Sequence, residues 1–160
     1  MDQPLCAALR AKVVEQIERT VRLAGFLPGD LSVRPVETGW TFEHLLDHLL
    51  LAMSGFCAVL AAVYPDRLAH FQQLRDRQAR GGFCEEAAVY RVRIEEGFDV
   101  LEDAALSRVI PTIFVPEGQA VMTLLLGNLE HLVNHKHQLF MYLKISGAAV
   151  GTGDLYRLRG

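Results

Sequence analysis

The sequence predicts an all-α fold, a four-helix bundle, on three observations. Apolar residues recur at helical spacing in four long segments, glycine and proline fall between those segments, and no half of the chain is β-rich. The longer links follow the second and third segments, as in bundles whose helices are not all joined by tight turns. At 160 residues the chain suits one domain with one sizeable core. Residues 1–160 are therefore read as a single bundle, with 148–160 as an irregular tail.

The first helix opens at Pro4, whose missing N–H costs nothing in a first turn. Leu5, Leu9, Val13, Ile17 and Val21 form its stripe, and it stops near "GFLPGD". Thr41, directly after Trp40, is an N-cap for a second helix that runs to about Tyr64 and ends at Pro65. Between Leu45 and Val63 its apolar residues lie on nearly every face, so this helix is central or pressed against another subunit. The longest apolar run, Leu49 to Tyr64, contains Ser54 and Gly55 and falls short of the roughly 20 residues of a membrane span.

Residues 66–80 are polar with a thin stripe of Leu68, Phe71 and Leu74, which predicts a short exposed helix or an ordered loop closed by Gly81 and Gly82. A third main helix follows from about Glu85 to Leu106, with Ala87, Tyr90, Ile94, Phe98, Leu101 and Ala105 on one face. Glu85 and Glu86 suit its first turn, where the helix dipole favours acids. "VIPTIFVPEG", with two prolines, is a connection containing a short extended stretch. The fourth helix runs from about Gln119 to Ser146, with Gly147 as its C-cap.

Composition removes several function classes. The chain is 51% hydrophobic and 22% charged with a net charge of −3, and its basic residues form no long run, so neither disorder nor nucleic acid as the main partner is expected. Cys6, Cys57 and Cys84 are odd in number, widely spaced and lack a CxxC pair, which fits a reducing cytoplasm better than a disulfide framework. The N-terminus carries charges where an export signal needs an unbroken apolar core.

Chemistry concentrates in "HLVNHKHQL", residues 131–139. His131 and His135 share a helix arc of roughly 80° with Asn128, Gln138 and Tyr142. Val121, Leu125, Leu129, Leu132 and Leu139 lie beside that arc and face the core, so the polar stripe borders the buried side. His137 points the opposite way with Glu130 and is an exposed residue. In the second helix, His48 sits inside the most apolar stretch of the chain, where an unpaired imidazole is costly, and His44 is one turn earlier on nearly the same face. A satisfied core histidine is one reading. Convergence of His48, His131 and His135 on a metal is the other, and three neutral imidazoles with an open position are a catalytic zinc-type ligand set.

Other metal motifs fail on spacing. Leu132 stands where a zincin HExxH needs glutamate, Leu45 and Leu132 stand where a di-iron bundle needs Glu-x-x-His, and no close thiol pair exists.

The order of motifs resembles the DinB-like metal-binding four-helix bundles. "WTFEHLLDHL" carries Trp40, Thr41 and His48 as that family's second helix opens. "HLVNHKHQLFMYLKISG" carries His131, His135, Lys136, Gln138 and Gly147 as its last helix does. The resemblance spans roughly residues 5–147 and implies His48, His131 and His135 as metal ligands. His44 is no ligand in that pattern, and the residues themselves suggest that it lines the pocket or supports a ligand, as do Asn128, Gln138 and Tyr142. The resemblance further implies a bacterial protein, a homodimer, a zinc or nickel ion, and in several relatives a low-molecular-weight thiol activated for transfer or isomerisation. Two departures stand out: His137 occupies a position where relatives often have glycine, and Leu132 replaces an acid found in many of them.

The expectation is thus a metal-dependent enzyme acting on a small molecule, a thiol-dependent transferase or isomerase, without nucleic acid or membrane as partner. A metal-dependent hydrolase and a non-catalytic metal-binding dimer stay open beside it. No residue is assigned a catalytic role.

Overall fold

The protein is described by a computed structural model covering residues 2–74 and 81–156, with residues 72–74 described by backbone alone. Four long helices form the bundle: α1 (Pro4–Ala24), α2 (Phe42–Val63), α3 (Phe83–Val100) and α4 (Val121–Ile145). A short α5 (Thr152–Tyr156) follows, and a two-residue ladder, β1 (Val109–Ile110) with β2 (Gln119–Ala120), is antiparallel with Val109 opposite Ala120.

The core runs along α2. Leu45, Leu46, Leu49, Leu50, Met53, Phe56 and Leu60 are all fully buried, which explains why this helix reads as apolar on every side. By length and composition α2 could cross a membrane, but half of its most apolar window is buried inside the bundle, as in the core helix of a folded domain. Its unburied side still carries Leu51, Ala58 and Ala62. Against α2, α3 contributes Ala87, Tyr90, Ile94 and Phe98, and Gly97 lets the backbone come close to Leu60. Among α4 residues, Val121, Leu125, Leu132 and Leu139 are buried as expected, whereas Leu129 is only partly so.

Several elements differ from the sequence-based expectation. The core stripe of α1 is Cys6, Leu9, Val13, Ile17 and Leu23, while Leu5 is exposed. A spacing of four advances about 40° per step beyond a full turn, so a strict fourfold stripe drifts off the buried face. The segment after α2 is a 3₁₀ helix, Ala69–Leu74, and it is less exposed than expected because Leu68 and Phe71 join the core. The side chain of Leu74 and residues 75–80 lie outside the described residues.

Helix α3 stops at Val100, not at Leu106. Leu101 turns extended, and a 3₁₀ helix, Asp103–Ser107, carries the chain across the start of α1. There the carboxylate of Asp103 accepts the N–H groups of Leu5 and Cys6 at 3.1 and 2.9 Å, and Gln3 Oε1 accepts Asp103 N–H at 2.5 Å. The first turn of α1, which lacks a side-chain cap of its own, is capped from a distant segment.

Helix α4 begins two residues later than expected, because Gln119 and Ala120 pair with β1 instead. At its end Gly147 takes φ +85°. The N–H of Ala148 reaches Leu143 O and that of Gly147 reaches Lys144 O, both at 3.0 Å, the Schellman arrangement that needs a left-handed residue. The tail is not wholly irregular. Helix α5 packs Leu155 into the core, and Lys136, itself buried, reaches Gln16 Oε1 at 2.7 Å and Leu155 O at 3.4 Å.

Candidate metal centre

Local sequence sets the first half of the site. Thr41 Oγ1 accepts His44 N–H at 3.1 Å, so α2 starts at Phe42 and presents His44 and His48 on successive turns. The second half comes from α4, where His131 and His135 are one turn apart. The two helices meet closely because residue 55 is glycine. A side chain there would place its first carbon 2.8 Å from Asn128 Oδ1, two turns beyond His48 and one turn before His131.

This approach brings three imidazoles together. His48 Nε2 and His131 Nε2 are 2.9 Å apart, and His135 lies with its ring centre 4.3 Å from that of His48 and 4.8 Å from that of His131. One candidate ligand nitrogen from each ring lies within 4.8 Å of the others. Nitrogens bound 2.0–2.1 Å from one tetrahedral ion stand about 3.4 Å apart, so small ring rotations fit the trio to a divalent ion. Among the described residues the group contains no fourth ligand.

Electrostatics favour the same use. Burial first, then the neighbouring His135, His131 and His44, hold the His48 imidazole below its usual pKa; burial and then His135 do the same for His131. Both rings are therefore neutral near pH 7, with lone pairs available. The cysteines are not drawn into the site. Burial, reinforced by Asp103, pushes the Cys6 thiol up to about 12, and burial raises Cys57 to about 12, so neither supplies a thiolate.

Of the solved structures compared, the crystal structure of a DinB-like protein, YjoA from Bacillus subtilis, superposes with a TM-score of 0.72 over 89% of this chain and 94% of that one, at 22% identity. The fold is DinB-like. At that identity the likeness is one of fold, and the chemistry rests on the side chains present here. No family model and no curated protein matches the sequence.

Within this DinB-like bundle the remaining candidate residues separate. Gln138 and Tyr142 join the site: His135 Nδ1 is 2.8 Å from Gln138 Oε1, and Gln138 Nε2 is 3.3 Å from Tyr142 Oη. Asn128 is turned to Gly55. His44 is exposed, stands outside the ligand group and packs on Trp40 with ring centres 4.5 Å apart. His137 is exposed beside Phe140, away from the cluster, as expected. Leu132 is fully buried in the core.

Trp40 is the site residue that periodicity misses, because it precedes the helix. Its indole lies 4.9 Å from His48 and stacks on His135 at 5.5 Å with 20° between planes. The available signal was its place next to the Thr41 cap, which fixes it at the mouth of α2.

Proposed function

We propose that the chain is a metal-dependent enzyme in which His48, His131 and His135 hold a divalent zinc or nickel ion, and a small exogenous molecule takes the remaining coordination position. The observation that carries this is the convergence of three imidazoles from two helices on one point, without a fourth ligand among the described residues. A divalent metal held there supplies a Lewis acid that lowers the pKa of a thiol or water it binds.

The chain's own groups have definable parts. His48 and His131 offer neutral nitrogens because burial opposes their protonation. Trp40 places an apolar indole face against His48 and His135. Gln138 orients His135. The cysteines leave the remaining coordination position free for a molecule from solution, and a low-molecular-weight thiol bound there would make the chain a thiol-dependent transferase or isomerase acting on a small molecule. A hydrolase using bound water is the nearest alternative. A non-catalytic bundle draws on Leu132, an apolar core residue where the resembled family often has an acid.

We also propose a cytoplasmic homodimer, formed through the unburied side of α2 around Leu51, Ala58 and Ala62. Free cysteines support the compartment.

The deciding experiment is elemental analysis of tag-free protein and of its His48→Ala, His131→Ala, His135→Ala and His137→Ala variants. Metal should be lost in the first three and kept in the fourth. Equal metal content in wild type and His135→Ala would overturn the ligand assignment. On the cobalt-loaded protein, a small thiol should then produce a saturable charge-transfer band. Full occupancy without any such band would favour hydrolysis or a structural metal.

A further inference from the structure

We propose that Gln138 and Tyr142 are positioning residues that hold the His135 proton on Nδ1, and that the same chain of bonds pins the Trp40 indole against that ring. The inference rests on the reading of His135 as a ligand and adds which nitrogen it uses and what fixes it.

His135, Gln138 and Tyr142 lie at successive turns of α4, so side-chain reach along the helix connects them. His135 Nδ1 is 2.8 Å from Gln138 Oε1, an atom that only accepts, so this contact requires Nδ1–H. Gln138 Nε2 donates to Tyr142 Oη at 3.3 Å. Tyr142 Oη also accepts the backbone N–H of Trp40 at 2.9 Å, across 102 residues of sequence. A continuous path therefore runs from the imidazole to the segment that carries the indole.

The other amide orientation would have the opposite result. With the Gln138 nitrogen toward His135, Nδ1 must accept and the proton moves to Nε2, the remaining nitrogen and the one a metal would need. A fixed second partner that sets the tautomer is how histidine ligands are usually tuned, with effects of about 10–100-fold on metal affinity.

The loop end of the path is braced. Gly39 N–H reaches Val36 O at 2.8 Å, Phe42 N–H reaches Val33 O at 3.1 Å, and Arg34 bonds the Gly39 carbonyl. A first side-chain carbon on Gly39 would collide with the Tyr142 hydroxyl, so glycine there permits the contact with Trp40 N–H. Trp40, whose indole stacks 20° from the plane of His135, is thus tied through its backbone to the residues that orient the ligand.

The test uses full-length, metal-free protein near neutral pH with Gln138→Met, Gln138→Glu and Tyr142→Phe. Nitrogen–proton correlation spectra of the histidine rings should show His135 protonated on Nδ1 in wild type and in Gln138→Glu, and a tautomer mixture in Gln138→Met. Zinc affinity should fall about 10–100-fold in Gln138→Met and be restored in Gln138→Glu, which keeps an acceptor in place. Trp40 is the sole tryptophan, so its emission reports the indole directly and should shift to the red in Tyr142→Phe. Two results would overturn the proposal: wild-type His135 carrying its proton on Nε2, or Gln138→Met matching wild type in both tautomer and zinc affinity. If wild type binds no zinc, the metal reading fails instead, while the tautomer spectra and Trp40 emission still decide this one.

Discussion

Asp103 caps the first turn of α1 through Cys6, accepting its backbone N–H at 2.9 Å from 97 residues away. With the second bond to Leu5 N–H, it replaces the side-chain cap that Gln3 does not provide.

Asp103→Ala should lower the melting temperature by a few degrees and raise amide exchange at Leu5 and Cys6. Partial desolvation raises the Asp103 pKa, but the N–H donors of Cys6 and Leu5 outweigh it, and the net shift is downward from 3.8. Because the folded pKa is the lower one, the cap's contribution is complete above 3.8 and is lost as pH falls through the folded value. The wild-type advantage over Asp103→Ala, followed by thermal melts on descending pH, should shrink in that acid range.

Leu132→Glu restores an acid where the resembled family often has one, yet it would bury a carboxylate at a position with no solvent exposure. We expect a loss of at least about 3 kcal/mol in urea unfolding, without gain of activity. A variant as stable as wild type would mean that the core around Leu132 opens to solvent.

Acid should weaken the site later than ordinary imidazoles suggest. His48 and His131 have pKa values lowered from 6.5, so at these two rings protons compete with metal only below that value. Metal content measured after dialysis should persist as pH falls through 6.5. In metal-free protein the same shifts make stability complete above 6.5 and decline as pH drops toward the folded pKa values. His48→Ala should flatten that decline in melts between about pH 7.5 and about pH 5.

Ala58→Glu tests the proposed dimer, since it places a charge in the middle of the unburied apolar side of α2. Light scattering should report a dimer for wild type and a monomer for the variant, with helix content unchanged. A wild-type protein that stays monomeric at micromolar concentration would remove the interface.

What the sequence determined by itself is local. Helical periodicity, the Thr41 cap, the Gly147 terminator and the four-residue spacing of His131 and His135 depend on neighbours within a turn or two, and each is found in place. Tertiary structure decided what depends on distant partners. His44 and His48 share a face, and only the close crossing of α2 and α4 at Gly55 and Asn128 puts His48, not His44, against His131 across 83 residues. Helix α3 stops early because Asp103 is drawn to the start of α1, and the tail folds because Lys136 and the core take up α5. Trp40 enters the site through a bond to Tyr142, which no helical period connects to it. A repeat along one helix fixes which residues share a face, but which faces meet is set by close packing between elements far apart in the chain.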